Sequence, residues 1–184
     1  MTYYFSDAAI GAPDINTITT VAPGTGNLPS VTYEPQIGEI RKGWDSTLGA
    51  GEFIYLKIPA STTLSVGTLV YWTYGYAAVV LPALATSKNT LWQVAVSMNA
   101  VASSSSVQYG WFQIQGQGTV LKTAVAVTPY VPLYASGTAG RVKVLTSAGG
   151  QIVGMRSANA ATVTSTTSTV LVFLSRPAMQ GQIT

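Results

Sequence analysis

The chain has 184 residues, of which only 8% are charged, and it contains neither cysteine nor histidine. Without these two residue types, disulfides, thiol catalysis, zinc–thiolate sites and all Ser-His or Cys-His arrangements are excluded. An ordinary soluble domain has roughly 25% charged residues, so a surface this poor in charge indicates a protein that assembles with others.

The charges are divided unevenly along the chain. The first 52 residues hold two basic side chains and all six acidic ones, whereas residues 53–184 hold seven basic side chains and no acidic one. Two explanations fit this asymmetry. One is chance in a charge-poor chain, and the other is an acidic N-terminal segment that docks on a basic body, either its own or that of a neighbouring copy.

Residues 1 to about 40, called the arm below, are rich in proline and glycine and show no sustained periodicity. They predict an extended segment that becomes ordered by lying along another surface, although a frayed terminus fits the same pattern. The residues predicted to contact a capsid or another subunit are the arm's tip and acids together with two basic residues of the body: Tyr3, Tyr4, Phe5, Asp7, Asp14, Arg141 and Lys143. The opening residues lack the pattern of a secretory signal, and no apolar run is long enough to cross a bilayer.

Residues 41–184 predict one β domain that ends in a short C-terminal tail. Its first strong strand signal is the alternating segment around Phe53 to Ile58, which Pro59 ends. Further on, Trp72, Tyr74 and Tyr76 alternate and are predicted to share one strand face. Such a ladder is more often cross-strand packing than a platform on which sugars stack.

The segment Val107 to Gly118 predicts a central strand with bulky apolar groups on both faces. It forms a predicted hairpin with the segment Leu91 to Met98, and the serine run Ser103 to Ser106 lies in the loop between them. Trp111 belongs either to the domain core or to an axis where subunits meet.

Five further short segments, each rich in β-branched residues and bounded by Gly, Pro or Ser, follow this strand. The fold class predicted is therefore all-β, an antiparallel β-sandwich or barrel of seven or more short strands with an extended N-terminal arm. No helix is predicted, apart from a single short turn near Met98 to Ala102.

The motifs that would carry chemistry are missing. Glu39, Asp45 and Glu52 are the only trio that could supply a pair of catalytic carboxylates, and they fall in or near the arm rather than on a rigid scaffold. Thr119 and Lys122 have the spacing of a Thr-Lys dyad, but on a strand they would face opposite sides. Nucleotide-binding and calcium-binding motifs are absent, and the basic residues form no continuous stripe for nucleic acid. The sequence thus predicts no catalytic residue, no cofactor and no metal.

Several segments together resemble tailed-bacteriophage capsid decoration (cement) proteins: GEIRKGWDSTLGAGEFIYLKI, QYGWFQIQG, PLYASGTAGRVKV, GQIVGMRSANAAT and the terminal RPAMQGQIT. The resemblance covers roughly residues 37–184 and rests on spaced glycine, aromatic and alternating apolar positions. It implies a β-rich virion protein on the outer surface of a phage head, made in the host cytoplasm, often homotrimeric, and bridging subunits of the major capsid protein. It implies neither catalysis nor binding to nucleic acid or membrane.

Two other functions remain to be weighed against this expectation. The first is a carbohydrate- or receptor-binding β-module of a phage tail fibre or spike, which would use Trp72, Tyr74 and Tyr76 as its platform. The body's lack of acidic residues argues against it, because sugar sites usually add Asp, Glu or Asn to hold hydroxyls. The second is an enzyme such as a depolymerase, and the residue inventory disfavours it most.

Overall fold

A computed structural model describes residues 3–6, 14–23 and 35–182 of the chain. Within these ranges it contains eleven β-strands and one short helix. In chain order the elements are β1 (Tyr4–Phe5), β2 (Ile40–Asp45), β3 (Gly49–Ile58), β4 (Leu69–Trp72), β5 (Ala78–Val80), α1 (Leu84–Ser87), β6 (Val94–Ser97), β7 (Gln108–Leu121), β8 (Pro132–Ala135), β9 (Val142–Lys143), β10 (Gln151–Ser157) and β11 (Thr169–Met179).

All eleven strands belong to one hydrogen-bonded sheet, and each pair of named strands is antiparallel. The main path runs β1-β2-β3-β7-β11-β10-β8-β9, while β6 pairs with β7 and leads through β4 to β5. The predicted all-β antiparallel fold is confirmed. The predicted hairpin is confirmed too, because Val96 of β6 lies opposite Gln113 of β7.

Strand β7 is the centre of the fold, as predicted for Val107 to Gly118. Its Tyr109 and Trp111 pack into an aromatic cluster on one face, together with Tyr55 of β3. Phe112 and Ile114 pack into an aliphatic cluster on the other face. Because both faces are buried, alternation places large apolar groups on each side of this strand. Trp111 is only 1% exposed and lies in the core of the described chain.

A third cluster, rich in valine and leucine, is built from β4, β6, the second half of β7 and the strands that follow. It includes Leu69, Val120, Leu133, Ile152 and Val172, all fully buried. In β8 and the first half of β11, the side chains of this cluster alternate with exposed or half-buried residues, which is the pattern of a strand with one face in the core. The later strands therefore form without long apolar runs.

The prediction that Trp72, Tyr74 and Tyr76 share a strand face is wrong. Strand β4 ends at Trp72, and the next residues form the tight turn that leads into β5. Gly75 and Tyr76 adopt positive φ values of 80° and 56°, so the chain reverses here instead of continuing its alternation. The stacking expected of this strand is made instead by Tyr71, whose ring lies 4.1 Å from that of Trp92.

Two smaller expectations fail as well. A short helix exists where none was predicted, at Leu84–Ser87, with backbone hydrogen bonds from Ser87 and Lys88 back to Ala83 and Leu84. Four residues are too few for a helical period to show in the sequence. The turn predicted near Met98 to Ala102 is replaced by extended backbone, because Val101 exchanges two hydrogen bonds with Leu64.

Candidate binding surfaces

The tip of the arm is divided between the interior and the surface. Tyr3 is fully buried, and its ring meets that of Phe53 edge-on at 4.9 Å. Its hydroxyl donates to the carbonyl of Gln117 at 2.6 Å. Phe5 packs against Trp111 with ring centroids 4.8 Å apart. These two aromatic side chains therefore serve the protein's own core.

Tyr4 points the other way. It lies opposite Trp44 in the pairing of β1 with β2, and the two side chains are 60% and 55% exposed. Residues directly opposite each other on antiparallel strands share one face of a sheet. Among the predicted contact residues at the tip, Tyr4 is thus the one available to a partner, and Trp44, which sequence reasoning missed, accompanies it.

Among the arm's acidic residues in the described chain, Glu39 forms an ion pair with Arg41, at 2.8 Å, whereas Asp14 forms none with the body. Asp7 lies outside the described residues. Asp14 is exposed, and its carboxylate accepts a hydrogen bond from the backbone N–H of Ile15 at 2.7 Å. Ile15 is fully buried, and its carbonyl accepts a hydrogen bond from Asn99. The part of the arm around Ile15 is therefore held by apolar burial and hydrogen bonds.

The two basic residues predicted at the interface lie at β9. Arg141 precedes the strand and Lys143 ends it, and both are half-buried on either side of the fully buried Val142. The Arg141 guanidinium donates to the carbonyl of Lys122 at 3.0 Å. The side chain of Arg141 is thus hydrogen-bonded to the backbone of the body. Lys143 makes no side-chain hydrogen bond or ion pair within the described chain.

Lys122 is buried, with 1% of its surface exposed. Its ammonium donates to the carbonyls of Val125 and Thr164, each at 2.9 Å, and more weakly to that of Thr123. Burial lowers the pKa of this amine. All its acceptors are backbone carbonyls, so Lys122 joins two loops, and Thr119 is not its partner.

The turn between β4 and β5 carries the most exposed aromatic side chain of the described residues. Tyr74 is fully exposed, Tyr76 is 42% exposed and Trp72 is half-buried. The turn encloses a concavity of about 530 Å³ lined by residues 72–76. Tyr76 is fixed by its neighbour, because its ring lies directly over Gly38, where any Cβ would come within 2.5 Å of it.

This turn continues into a small apolar pocket. The pocket has a volume of about 140 Å³, roughly that of one large apolar side chain, and is lined among others by Trp72, Ile40 and Arg176. Ile40 is 44% exposed. We call Ile40, Trp72, Tyr74 and Tyr76 the aromatic patch. Exposed apolar groups clustered around a pocket are typical of protein–protein contact sites.

A second concavity lies on the face of the sheet formed by β8, β10 and β11. Gln151 lies opposite Tyr134 and Arg156 opposite Pro132, so residues 152–155 of β10 face Leu133 alone. This break in the pairing leaves a groove of about 490 Å³. Gly154 lines the groove at φ +80°, and its Cα approaches Ser175 so closely that a Cβ would lie 2.6 Å from the carbonyl oxygen.

Arg156 is the single charged residue that lines this groove. It is exposed, and its guanidinium carbon lies 5.2 Å from the centre of the Phe173 ring. In the described chain the two ion pairs lie elsewhere, between Glu39 and Arg41 and between Glu52 and Arg176. The groove therefore presents a cation that no residue of the described ranges neutralises.

Other features bear on the class of function. Within residues 3–6, 14–23 and 35–182, no group of three or more His, Cys, Asp or Glu side chains is placed to hold a metal ion. No helix in this part of the chain is long and apolar enough to span a membrane. Comparison with protein-family models and with curated proteins finds no match to this chain.

Proposed function

We propose that this protein is a virion structural protein that binds the outer surface of a phage capsid and stabilises the expanded shell by bridging major capsid subunits. The aromatic patch carries this proposal. A fully exposed tyrosine on a short turn, next to a pocket the size of one side chain, is the kind of anchor that dominates protein–protein binding energy. The charge-poor surface, which favours association, supports the same function.

The mechanism is thermodynamic linkage. A protein that binds the expanded shell more tightly than the immature one stabilises the expanded shell by the difference in binding free energy. Copies that associate, as a homotrimer would, engage several shell sites at once. Modest contacts for each copy then add up to tight binding.

The experiment is co-sedimentation of the purified protein with expanded and with immature heads that lack it. The expected result is saturable binding to expanded heads and weaker binding to immature ones. The Tyr74→Ala variant should bind expanded heads at least about tenfold more weakly, the usual loss for an interface anchor. A Leu145→Ala variant, which removes an exposed apolar side chain outside both the patch and the groove lined by Arg156, is the matched control. Absence of the wild-type protein from the sedimented heads would refute the proposal.

A second function uses the same turn. The concavity within residues 72–76 offers aromatic faces on which a sugar ring can stack, which favours a carbohydrate- or receptor-binding module of a tail fibre or spike. No acidic or amide side chain lines this concavity, so the polar groups available to the hydroxyls of a sugar are Thr73, the indole N–H of Trp72, the tyrosine hydroxyls and backbone groups. Binding on a glycan array that is lost in Tyr74→Ala, with no binding to heads, would favour this function instead.

A further inference from the structure

The groove that Arg156 and Phe173 line is separate from the aromatic patch, and it has its own chemistry. We propose that this groove binds an extended segment of a partner protein through one carboxylate side chain, which pairs with the guanidinium of Arg156. The proposal rests on the proposed function in one respect, namely that the partner is the shell protein. The choice of a carboxylate as the ligand follows from the residues of the groove alone.

The charges around the groove favour an anionic partner. Residues 53–184 contain no acidic side chain, and Arg176, the nearest other cation in sequence on β11, is already paired with Glu52 at 2.9 Å. No acceptor in the described chain receives a hydrogen bond from the guanidinium of Arg156. This guanidinium lies over the ring of Phe173 instead. Because no described residue supplies an anion here, a partner complementary to this groove would present an anionic group.

The orientation of the Arg156 guanidinium favours a carboxylate. A guanidinium that lies over an aromatic ring is held in place, and its N–H donors remain free to bind a planar acceptor. Carboxylates accept two parallel hydrogen bonds from such a fork, and these charge-assisted bonds are among the stronger ones in proteins. Because Phe173 restrains the side chain beforehand, less conformational entropy is lost on binding.

The number of cations in the groove and its other lining residues favour a carboxylate on a protein over a phosphate on a nucleic acid. A nucleic-acid backbone is bound by several cations along a track, whereas Arg156 is the single charged residue in this groove. The other walls include Tyr130, Pro132 and Met155, which suit apolar side chains two positions before and after an acidic residue, because these share its face in an extended segment. The volume of about 490 Å³ accommodates a few side chains, not one ion.

The first test uses the full-length protein in solution and needs no capsid. An acetylated and amidated peptide, Val-Thr-Glu-Thr-Val, is titrated while NMR follows the Arg156 side-chain N–H and the amides of Gly154 and Phe173. These signals should shift with this peptide and not with its Gln analogue, and Arg156→Gln should abolish the shifts. Equal shifts with both peptides, no shift at all, or larger shifts with oligothymidylate would each overturn the proposal.

The second test asks whether the shell protein supplies the segment. Arg156→Gln should bind expanded heads about tenfold more weakly than the wild type, as expected for loss of a bidentate ion pair. Lys88→Gln removes the same charge from an exposed position outside the groove and should bind like the wild type. Equal binding by Arg156→Gln and wild type would overturn this inference while leaving the proposed function intact. If the wild type itself does not bind heads, the proposed function fails, and the peptide titration still decides the chemistry of the groove.

Discussion

Two aromatic segments of this protein have similar composition and opposite environments. In the first, Tyr3 and Phe5 at the tip of the arm are packed into the aromatic cluster beside β7. In the second, Tyr74 and Tyr76 project from the turn between β4 and β5, and Tyr74 is fully exposed. The difference teaches that aromatic content alone does not separate a core anchor from a binding surface.

What separates them is whether the rest of the fold supplies a partner. The hydroxyl of Tyr3 donates a hydrogen bond to the carbonyl of Gln117, and its ring packs against Phe53, so the buried hydroxyl has a partner. At the turn, positive φ values at Gly75 and Tyr76 reverse the chain from β4 into β5. No described strand covers Tyr74. The first segment thus supports the domain, and the second is available for binding.

The largest effect is expected beneath the arm. Trp111→Ala should lower the free energy of unfolding by about 3–5 kcal/mol, the usual cost of removing a large buried aromatic side chain. Trp111 contacts Phe5 and Tyr55, so the variant also removes a ring contact that holds the tip of the arm against the core. Urea denaturation followed by circular dichroism measures the change. A stable monomer that no longer forms oligomers would instead place Trp111 at a subunit interface.

The second prediction separates the two neighbours at the arm's tip. Tyr3→Ala should cost about 3 kcal/mol, because it removes a fully buried ring and its hydrogen bond to Gln117. Tyr4→Ala is the matched control and should cost less than about 1 kcal/mol, since Tyr4 is 60% exposed. Thermal unfolding of both variants provides the comparison. Equal losses would show that the strand pairing of β1, rather than burial of Tyr3, holds the arm in place.

Much of the fold was predictable from the sequence for a physical reason. Both β3 and β7 carry large apolar groups at consecutive positions, and strands buried on both faces leave that signature in the sequence. Trp111 and Phe112 could therefore be assigned to opposite faces. The turn at Tyr74 could not, because residues 72–76 alternate as a strand does, and the reversal depends on Tyr76 accepting a positive φ and on Gly38 making room for its ring.

The candidate surfaces were predictable only in part. Aromatic residues at the arm's tip were identified as contacts, yet which of them face outward depends on the register of Tyr4 with Trp44. The groove at Arg156 depends on a register break between β8 and β10 that leaves no sequence signal beyond Gly154. Long-range pairing decides both, and local sequence does not encode it.

A third prediction uses pH to sharpen the contrast. Burial, the largest cause, raises the pKa of Tyr3 to about 12, above the value near 10 of an unfolded chain. The folded state therefore favours the neutral phenol, so this contribution is complete below about pH 10 and is lost as pH rises towards 12. The wild type should lose more than about 1 kcal/mol relative to Tyr3→Phe between pH 9 and pH 11.5. Parallel pH dependence in the two proteins, measured by urea denaturation, would contradict this assignment.

The smallest effect on stability is expected at the exposed turn, and it is the most informative about function. Tyr74→Ala should change the free energy of unfolding by less than about 0.5 kcal/mol, because a fully exposed side chain gives up no burial. The same variant should lose most of its binding to expanded heads. A residue whose removal leaves folding unchanged but weakens binding has its function at the surface, as the comparison with Tyr3 requires. Substantial unfolding of Tyr74→Ala would mean instead that the tyrosine stabilises the turn. Weaker binding by this variant would then no longer support the aromatic patch as a binding site.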